Sequence, residues 1–365
     1  VSARKAVVAM SGGVDSSVAA ATLVEAGYDV TGIMLKLWNG EAANTDSGCC
    51  NVGAAEDARR VADVLGIPFY VLNLAEHFEE TVVKDFHQSY ASGTTPNPCV
   101  RCNQWIKFDA LLERAMALGA DFLATGHYAR VEQRGGRFHM LRGHDARKDQ
   151  SYVLWMLTQR QLAKTRFPVG EHDKTETRRI ATELGLRTAA KPDSQEICFV
   201  RAGDLDAYVS DHMPGASRPG PIVDPDGRWL GEHRGIGRYT VGQRKGLGIS
   251  LGVPVYVTGV DAGANVLVVG PRERLGICEL AVEEVSFISA PPEAGTRVLV
   301  QHRAHGDAAP AALHPEGPGL ARVVYDEPVE AVAPGQSAAF YDASAPDELI
   351  GGGIISRTVA ATAVA

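Results

Sequence analysis

A repeated change of hydrophobic period over the first 130 residues limits most tightly how this chain can fold. The short apolar run "KAVVAM" ends at Met10, "VAAATLVEAG" has Ala-rich helical spacing and stops at Gly27, and "YDVTGIMLKLW" is strand-like again. In "AAEDARRVADVLG", Ala58, Val61, Ala62 and Leu65 share one helical face and Gly66 ends the segment. "IPFYVLNL" predicts a strand, "EHFEETVVKDFHQSYASG" a helix, and a helix through "FDALLERAMALG" leads to a strand at "DFLAT". Strands separated each time by a helix pair in parallel through crossovers, so the expectation is a doubly wound, mostly parallel α/β sheet. Ligands in that architecture sit at the carboxyl ends of the strands.

From about Phe199 the texture changes. Gly and Pro become frequent, as in "MPGASRPGPIVDPDGRW", and beyond about Gly276 come short strand-like runs such as "TRVLVQHR", "LARVVYDEP", "SAAFYD" and "LIGGGIIS". Three regions are expected: an α/β catalytic domain over 1–200, a small middle domain over 201–275, and a C-terminal antiparallel β-barrel over 276–365.

With 365 residues, 45% hydrophobic and 22% charged, the chain can build a core without staples. Six cysteines are too few for a secreted disulfide scaffold, and Cys49 and Cys50 are adjacent, which suits redox, metal or sulfur chemistry better than a structural bridge. "VSARKAVVAM" enters a strand with no apolar signal core, and no run of about 18 apolar residues follows, so a cytoplasmic protein with no membrane span is expected. The net charge of −8 argues against indiscriminate binding of polyanions. Locally, "HRGIGRYTVGQRKGLGIS" carries Arg234, Arg238, Arg244 and Lys245 with no acid among them, and reads either as a solvated Gly-rich loop or as a phosphate-binding surface.

"SGGVDSS", Ser11 to Ser17, lies where a strand feeds a helix. Its glycines permit a tight turn, and a helix N-terminus favours anionic oxygens, so the string suits a phosphate. It is not the Gly-x-x-x-x-Gly-Lys loop of γ-phosphoryl transfer, and a Gly-rich turn capped by Asp15 or Ser16 is the plain structural alternative. "TPNPCVRCNQWIKF" places Cys99 and Cys102 behind Pro96 and Pro98, on what reads as a stiff loop. Cys198 in "KPDSQEICFV", taken alone, is a buried inert cysteine.

Taken in order, "SGGVDSS", "TPNPCVRCN", "TGHYAR", "KDQSYVLW", "KPDSQEICF", "YTVGQRKGLGI" and "PGQSAAFY" resemble the tRNA-specific 2-thiouridylases, within the ATP pyrophosphatase superfamily, from about Val7 to Ile355. The resemblance implies a sulfurtransferase that splits ATP into AMP and pyrophosphate, with Mg²⁺. It adenylates the C2 oxygen of the wobble uridine and replaces that oxygen with persulfide sulfur, giving 2-thiouridine. By position it implies ATP contacts at Ala9, Met10, Ser11, Gly12, Gly13, Val14, Asp15, Ser16, Met34 and Gly126. Cys198 would bear the persulfide and Cys102 would attack it, leaving a Cys102/Cys198 disulfide. Asn97, Pro98 and Cys99 would meet the target base, and His127, Lys148, Asp149, Gln150, Arg303 and Gln336 the rest of the tRNA.

The partners implied are the anticodon stem-loop of the Lys, Glu and Gln isoacceptors and a cysteine desulfurase or sulfur-carrier protein. Two departures stand out. Cys99 occupies a position where many members carry Asp, and Arg303-Ala304 replaces an Arg-Tyr pair. Cys99, Cys102 and Cys198 would also offer three thiolates to an iron-sulfur cluster. Two rival readings are an amide-forming adenylating ligase, which needs neither Cys102 nor Cys198, and a non-catalytic RNA-binding protein holding zinc through Cys49, Cys50, Cys99 and Cys102.

Overall fold

The computed structural model describes residues 3–38, 52–193, 197–200 and 204–361. Strands β1 (Lys5–Ala9), β2 (Asp29–Lys36), β3 (Phe69–Asn73) and β4 (Phe122–Thr125) form where the apolar runs predict them. A hairpin of β5 (Ala129–Arg134) and β6 (Arg137–Arg142) follows, then the two-residue strand β7 (Thr165–Arg166). The sheet runs β3-β2-β1-β4-β7 with every pair parallel, as the alternation requires. Chain order reverses between β1 and β4, which places the ligand crevice at their carboxyl ends.

Helix α1 (Val14–Glu25) leaves β1 and helix α2 (Val52–Leu65) leads toward β3. The core beneath them joins Ala6 and Val8 of β1, Val18, Ala19 and Leu23 of α1, Ala58 and Val61 of α2, and Phe122 and Ala124 of β4. Both faces of β1 are covered, so its side chains read as a continuous apolar run rather than an alternation.

Contacts divide the chain into two units: Val1–Val82 with Cys99–Ala202 and Asp347–Ile350, and Val83–Pro98 with Gly203–Pro346 and Gly351–Ala365. The second holds a small sheet and a barrel. The sheet, ordered β10-β11-β8-β9, comprises β8 (Gly220–Val223), β9 (Trp229–His233), β10 (Tyr256–Asp261) and β11 (Val266–Gly270), closed over Ile222, Tyr239, Val257 and Leu267. The barrel strands are β12 (Ile277–Phe287), β13 (Thr296–Gln301), β14 (Ala309–Pro315), β15 (Leu320–Val329), β16 (Ser337–Asp342) and β17 (Glu348–Ala360). They run β12-β15-β14-β13-β16-β17, and β12 pairs with β17, so the antiparallel cylinder closes and leaves no free edge. Among the described residues no helix is long and apolar enough to cross a membrane.

Gly126, one residue past β4, sets how closely α1 can approach the sheet. A Cβ there would lie 2.5 Å from the Ser16 nitrogen and 2.6 Å from the Asp15 carbonyl carbon, both backbone atoms that cannot swing away. Gly126→Ala should therefore cost about 1–3 kcal/mol as overpacking. At Gly215 a Cβ meets nothing within 4 Å, and Gly215→Ala should stay within about 0.5 kcal/mol. Urea midpoints of the two variants, measured side by side, check the difference.

Candidate nucleotide and thiol site

Ser11 to Gly13 turn the chain from β1 into α1, whose first residue follows Gly13 with no side-chain cap. The first amides of such a helix have no intrahelical acceptor and point toward the crevice, where the helix dipole favours negative charge. The turn ties itself together: the Ser11 amide donates to Ser16 Oγ (3.1 Å), and the Ser16 and Ser17 hydroxyls both donate to the Gly13 carbonyl (3.1 and 2.8 Å). Met10, Val14 and Met34 belong to the buried core under this turn, and Gly126 underlies the first turn of α1. The residues expected to surround ATP thus come from β1, the turn, α1, β2 and the end of β4.

Part of the charge is supplied by Lys174 and Arg178, which no local motif marks. Lys174 Nζ donates to both oxygens of Asp15 (2.7 and 2.9 Å) and lies 2.7 Å from Asp193 Oδ1. Asp193 also accepts from Lys148 (2.7 Å) and Arg178 (3.3 Å). Three cations therefore face two carboxylates beside the turn, an excess of one positive charge. Lys191 Nζ donates to the Gly12 carbonyl (3.1 Å) and to Asp57 (2.9 Å). The Tyr128 hydroxyl donates to Asp15 Oδ1 at 2.8 Å, and burial followed by the Asp15 charge keeps that phenol protonated, its pKa well above the ordinary range. Burial alone would raise the Asp193 pKa; hydrogen bonds and charge from Lys148 and Lys174 outweigh it and leave the carboxyl below its usual range.

The expected tRNA residues fall in different surroundings. Lys148 stands in the Asp193 cluster, a few ångströms from Lys174 rather than alone in solvent. Asp149 is spent on the protein, accepting from Arg142 (2.8 Å), the Gly143 amide (2.9 Å), and the Ser151 amide and hydroxyl (3.0 and 2.8 Å). Gln150 is exposed and its carboxamide oxygen accepts from the Tyr128 amide (3.0 Å). His127 is buried against Phe108 and Phe167, with Nδ1 2.6 Å from the Thr125 hydroxyl; burial, then Lys107, holds its pKa well below the imidazole range, so it is neutral at pH 7. In the second unit Arg303 is exposed in the turn after β13. Gln336 is half-buried and donates to the Thr95 carbonyl (2.8 Å). The basic string is partly compensated: Arg238 pairs with Asp206 (2.8 Å) and Arg234 lies 3.8 Å from it, whereas Arg244 and Lys245 face solvent.

The Cys-x-x-Cys pair does not sit on a loop, as the prolines suggest, but on a helix. Pro98 is its first residue, where the missing N–H costs nothing and the fixed φ suits the helix. Cys99 and Cys102, three apart, share a side of it; Cys99 is exposed and Cys102 half-buried. At Cys102 the helix widens into π-helical turns through Leu111, a geometry frequent at functional sites. The first turn is fixed by Arg101, 4.7 Å over the Trp105 ring, and by Asn103, which donates to the Val153 carbonyl (2.9 Å). Cys198, half-buried rather than sealed in the core, lies in a turn closed by Val200 N to Ile197 O (3.0 Å) and anchored by Phe199 against Phe78 and Trp38. Among the described residues no group of three or more Cys, His, Asp or Glu is placed to hold a metal ion, so Cys99, Cys102 and Cys198 do not fit a three-thiolate cluster. Cys49 and Cys50, invoked for zinc, lie outside the described residues.

Asp193→Asn should lower stability at pH 7 by about 1–2 kcal/mol, since Lys174 and Lys148 lose a partly buried partner. The folded pKa of Asp193 lies below its unfolded value of about 3.9. Its contribution is therefore present above that value and lost as pH falls through the folded pKa. Denaturant midpoints of the variant should stay below those of the parent from pH 7 down to about pH 4 and approach them only as pH falls below that value.

Three family models match in succession: a "tRNA methyl transferase HUP domain" over residues 4–202, a "tRNA methyl transferase PRC-barrel domain" over 206–271 and an "Aminomethyltransferase beta-barrel domain" over 278–355. Relatives named tRNA-specific 2-thiouridylase MnmA include those of Roseiflexus castenholzii, 47% identical over 97% of this chain and 99% of that one, and Moorella thermoacetica, 47% identical over 95% and 98%. A slighter likeness, TM-score 0.36 at 20% identity over 54% of this chain and 45% of the other, is to a 4-thiouridine synthetase–RNA complex with bound ATP. With near-full-length identity approaching one half, the chain belongs to the MnmA family of tRNA-specific 2-thiouridylases.

Proposed function

We propose that the protein is an ATP-dependent tRNA-uridine 2-sulfurtransferase acting on the wobble uridine of the anticodon stem-loop in the cytoplasm. One observation carries the reading: in a chain matching thiouridylases over 97% of its length, a single unit holds both an uncapped helix N-terminus beside surplus cations and two partly exposed thiols, Cys102 and Cys198.

Uridine C2 carries a carbonyl oxygen that is a poor leaving group. That oxygen attacks the α-phosphorus of ATP, the Pα–O bond to pyrophosphate breaks, and AMP becomes bonded to C2 through the former carbonyl oxygen. Amides and residues from Ala9 to Ser16 cradle the phosphates, Met34 and Gly126 border the adenosine, and the cations near Asp193 offset charge on the leaving pyrophosphate. Magnesium needs only one or two carboxylates besides nucleotide phosphates; Asp15 and Asp193, both paired with Lys174 in the structure, would supply them, and the ion would neutralise phosphate charge.

Sulfur arrives as a persulfide on Cys198, given by a cysteine desulfurase or carrier. Cys102 thiolate attacks the Cys198 sulfur, the terminal sulfur leaves as hydrosulfide and adds to C2, and the C2–O bond breaks to expel AMP. A Cys102/Cys198 disulfide remains, and a dithiol reductant restores both thiols before the next turnover. Asn97, Pro98 and Cys99 hold the flipped base. Lys148 and Gln150 reach the backbone beyond it, as does Arg303 from the barrel. Asp149 and His127, occupied internally, serve by shaping the turns that present these groups. The Lys, Glu and Gln isoacceptors are the expected substrates.

Incubated with tRNA, ATP, Mg²⁺ and a persulfide donor, the protein should form 2-thiouridine with AMP and pyrophosphate in equal amounts, read by mass spectrometry of nucleosides; ADP as the product would exclude this mechanism. Cys198→Ser should fail to accept labelled sulfur, whereas Cys102→Ser should accept it and stall. Normal 2-thiouridine formation by either variant would break the relay.

A further inference from the structure

Tyr128, buried just past β4, is engaged at both its ends. Its phenol reaches the turn between β1 and α1 and donates to Asp15 Oδ1 at 2.8 Å, and the same oxygen lies 3.0 Å from Thr177 Oγ1 on the helix Lys174–Glu183. A phenol has one proton and a carboxylate only accepts, so the proton goes to Asp15 and Thr177 stands on the lone-pair side. At the backbone, the Tyr128 amide donates to Gln150 Oε1 (3.0 Å) and the Gln150 amide donates to the Tyr128 carbonyl (2.8 Å). A backbone N–H only donates, so the oxygen end of the Gln150 carboxamide is the end that is held. One residue thus joins the turn expected to cradle phosphates to a residue expected to meet tRNA.

Neither end has slack. The Val153 amide donates to the Gln150 carbonyl (3.1 Å), and Asp149 ties the Gly143 and Ser151 amides together beside it. Gly143 closes on the same clasp: a Cβ there would lie 2.8 Å from the Tyr128 carbonyl oxygen. At the other end Asp15 Oδ1 is shared by the phenol and Lys174 Nζ (2.7 Å), and the Lys174 ammonium stands 5.6 Å over the Tyr128 ring. A change in the freedom of Asp15 therefore reaches the Tyr128 ring, and through its backbone the Gln150 carboxamide.

We propose that Tyr128 is a positioning residue that links the two substrates: its phenol acts on Asp15, its backbone acts on Gln150, and nucleotide at the turn thereby tightens the binding of tRNA. The inference rests on the 2-thiouridylase reading for the identity of the two ligands. A nucleotide seated on the turn restricts Asp15, the phenol passes that restriction to the Tyr128 backbone, and Gln150 meets tRNA already ordered, at a smaller loss of conformational entropy. Linkage is reciprocal, so tRNA tightens nucleotide binding by the same factor.

The test uses α,β-methylene-ATP with Mg²⁺, which cannot be split at the α–β bond, and unmodified tRNA. In the parent, saturating analogue should tighten the tRNA Kd by about fivefold or more, and analogue alone should slow hydrogen exchange of the peptide covering 148–153 by roughly threefold or more. Tyr128→Phe keeps the ring and the backbone but has no hydroxyl; its ratio of tRNA Kd without and with analogue should fall below about twofold, and its exchange should not respond to analogue. A variant that merely loosened the fold would weaken each affinity and leave that ratio intact. Gln150→Met removes the oxygen that the Tyr128 amide holds and should bring the ratio below about half the parent value, which decides the matter if Tyr128→Phe does not fold. A parent ratio below about twofold, or a parent-like ratio in Tyr128→Phe, would overturn the proposal. If the analogue slows exchange in the parent and not in Tyr128→Phe, yet the parent forms no 2-thiouridine, the link stands and the enzymatic reading fails.

Discussion

Lys174 is the charge on which the nucleotide end of the α/β unit depends. Its ammonium group bridges Asp15, in the first turn of α1, and Asp193, in the strip of chain leading to Cys198. One cation thereby couples the turn between β1 and α1 to Asp193, five residues before Cys198 in the chain. Both carboxylates are partly buried, so an unneutralised charge there would be expensive, and removing Lys174 would leave Asp15 without its cation while Asp193 kept Lys148 and Arg178. Lys191 repeats the arrangement on a smaller scale, tying the Gly12 carbonyl to Asp57. The turn is held from outside by cations as well as from inside by its own serines.

The thiols are organised by helix geometry rather than by a loop. Pro98 starts a helix where a loop reading treats it as a stiffener, and the widening at Cys102 changes the direction in which successive side chains leave the axis. Phe199 does the corresponding work for Cys198: its ring is buried among aromatics, so the neighbouring thiol is carried on a short closed turn instead of being packed away.

Much of the α/β sheet was legible because each strand and helix advertises its own period, and the face Ala58, Val61, Ala62, Leu65 is the face that is buried. The barrel was harder to read. "TRVLVQHR" and "SAAFYD" are plain strands, but β14, with Pro310 and Pro315 at either end of "APAALHP", resembles a turn until its neighbours on both sides are known. Asp149 and His127 have internal partners that no local pattern foretells. Motif position marks them as tRNA contacts; in the structure Asp149 also accepts from Arg142 and Ser151, and His127 Nδ1 meets the Thr125 hydroxyl.

What the sequence by itself determined is the order of the elements, the parallel sheet, and the Gly-rich turn between β1 and α1. All of these follow from short-range pattern: hydrophobic period, Gly and Pro placement, and residue types within a few positions of each other. The tertiary structure alone decided which charges meet. Nothing near Asp15 in the chain announces Lys174, nothing near Arg238 announces Asp206, and nothing near Thr95 announces Gln336. A hydrogen bond or ion pair depends on distances of about 3 Å. Those distances are set by how helices, turns and barrel strands pack, and no local pattern encodes them.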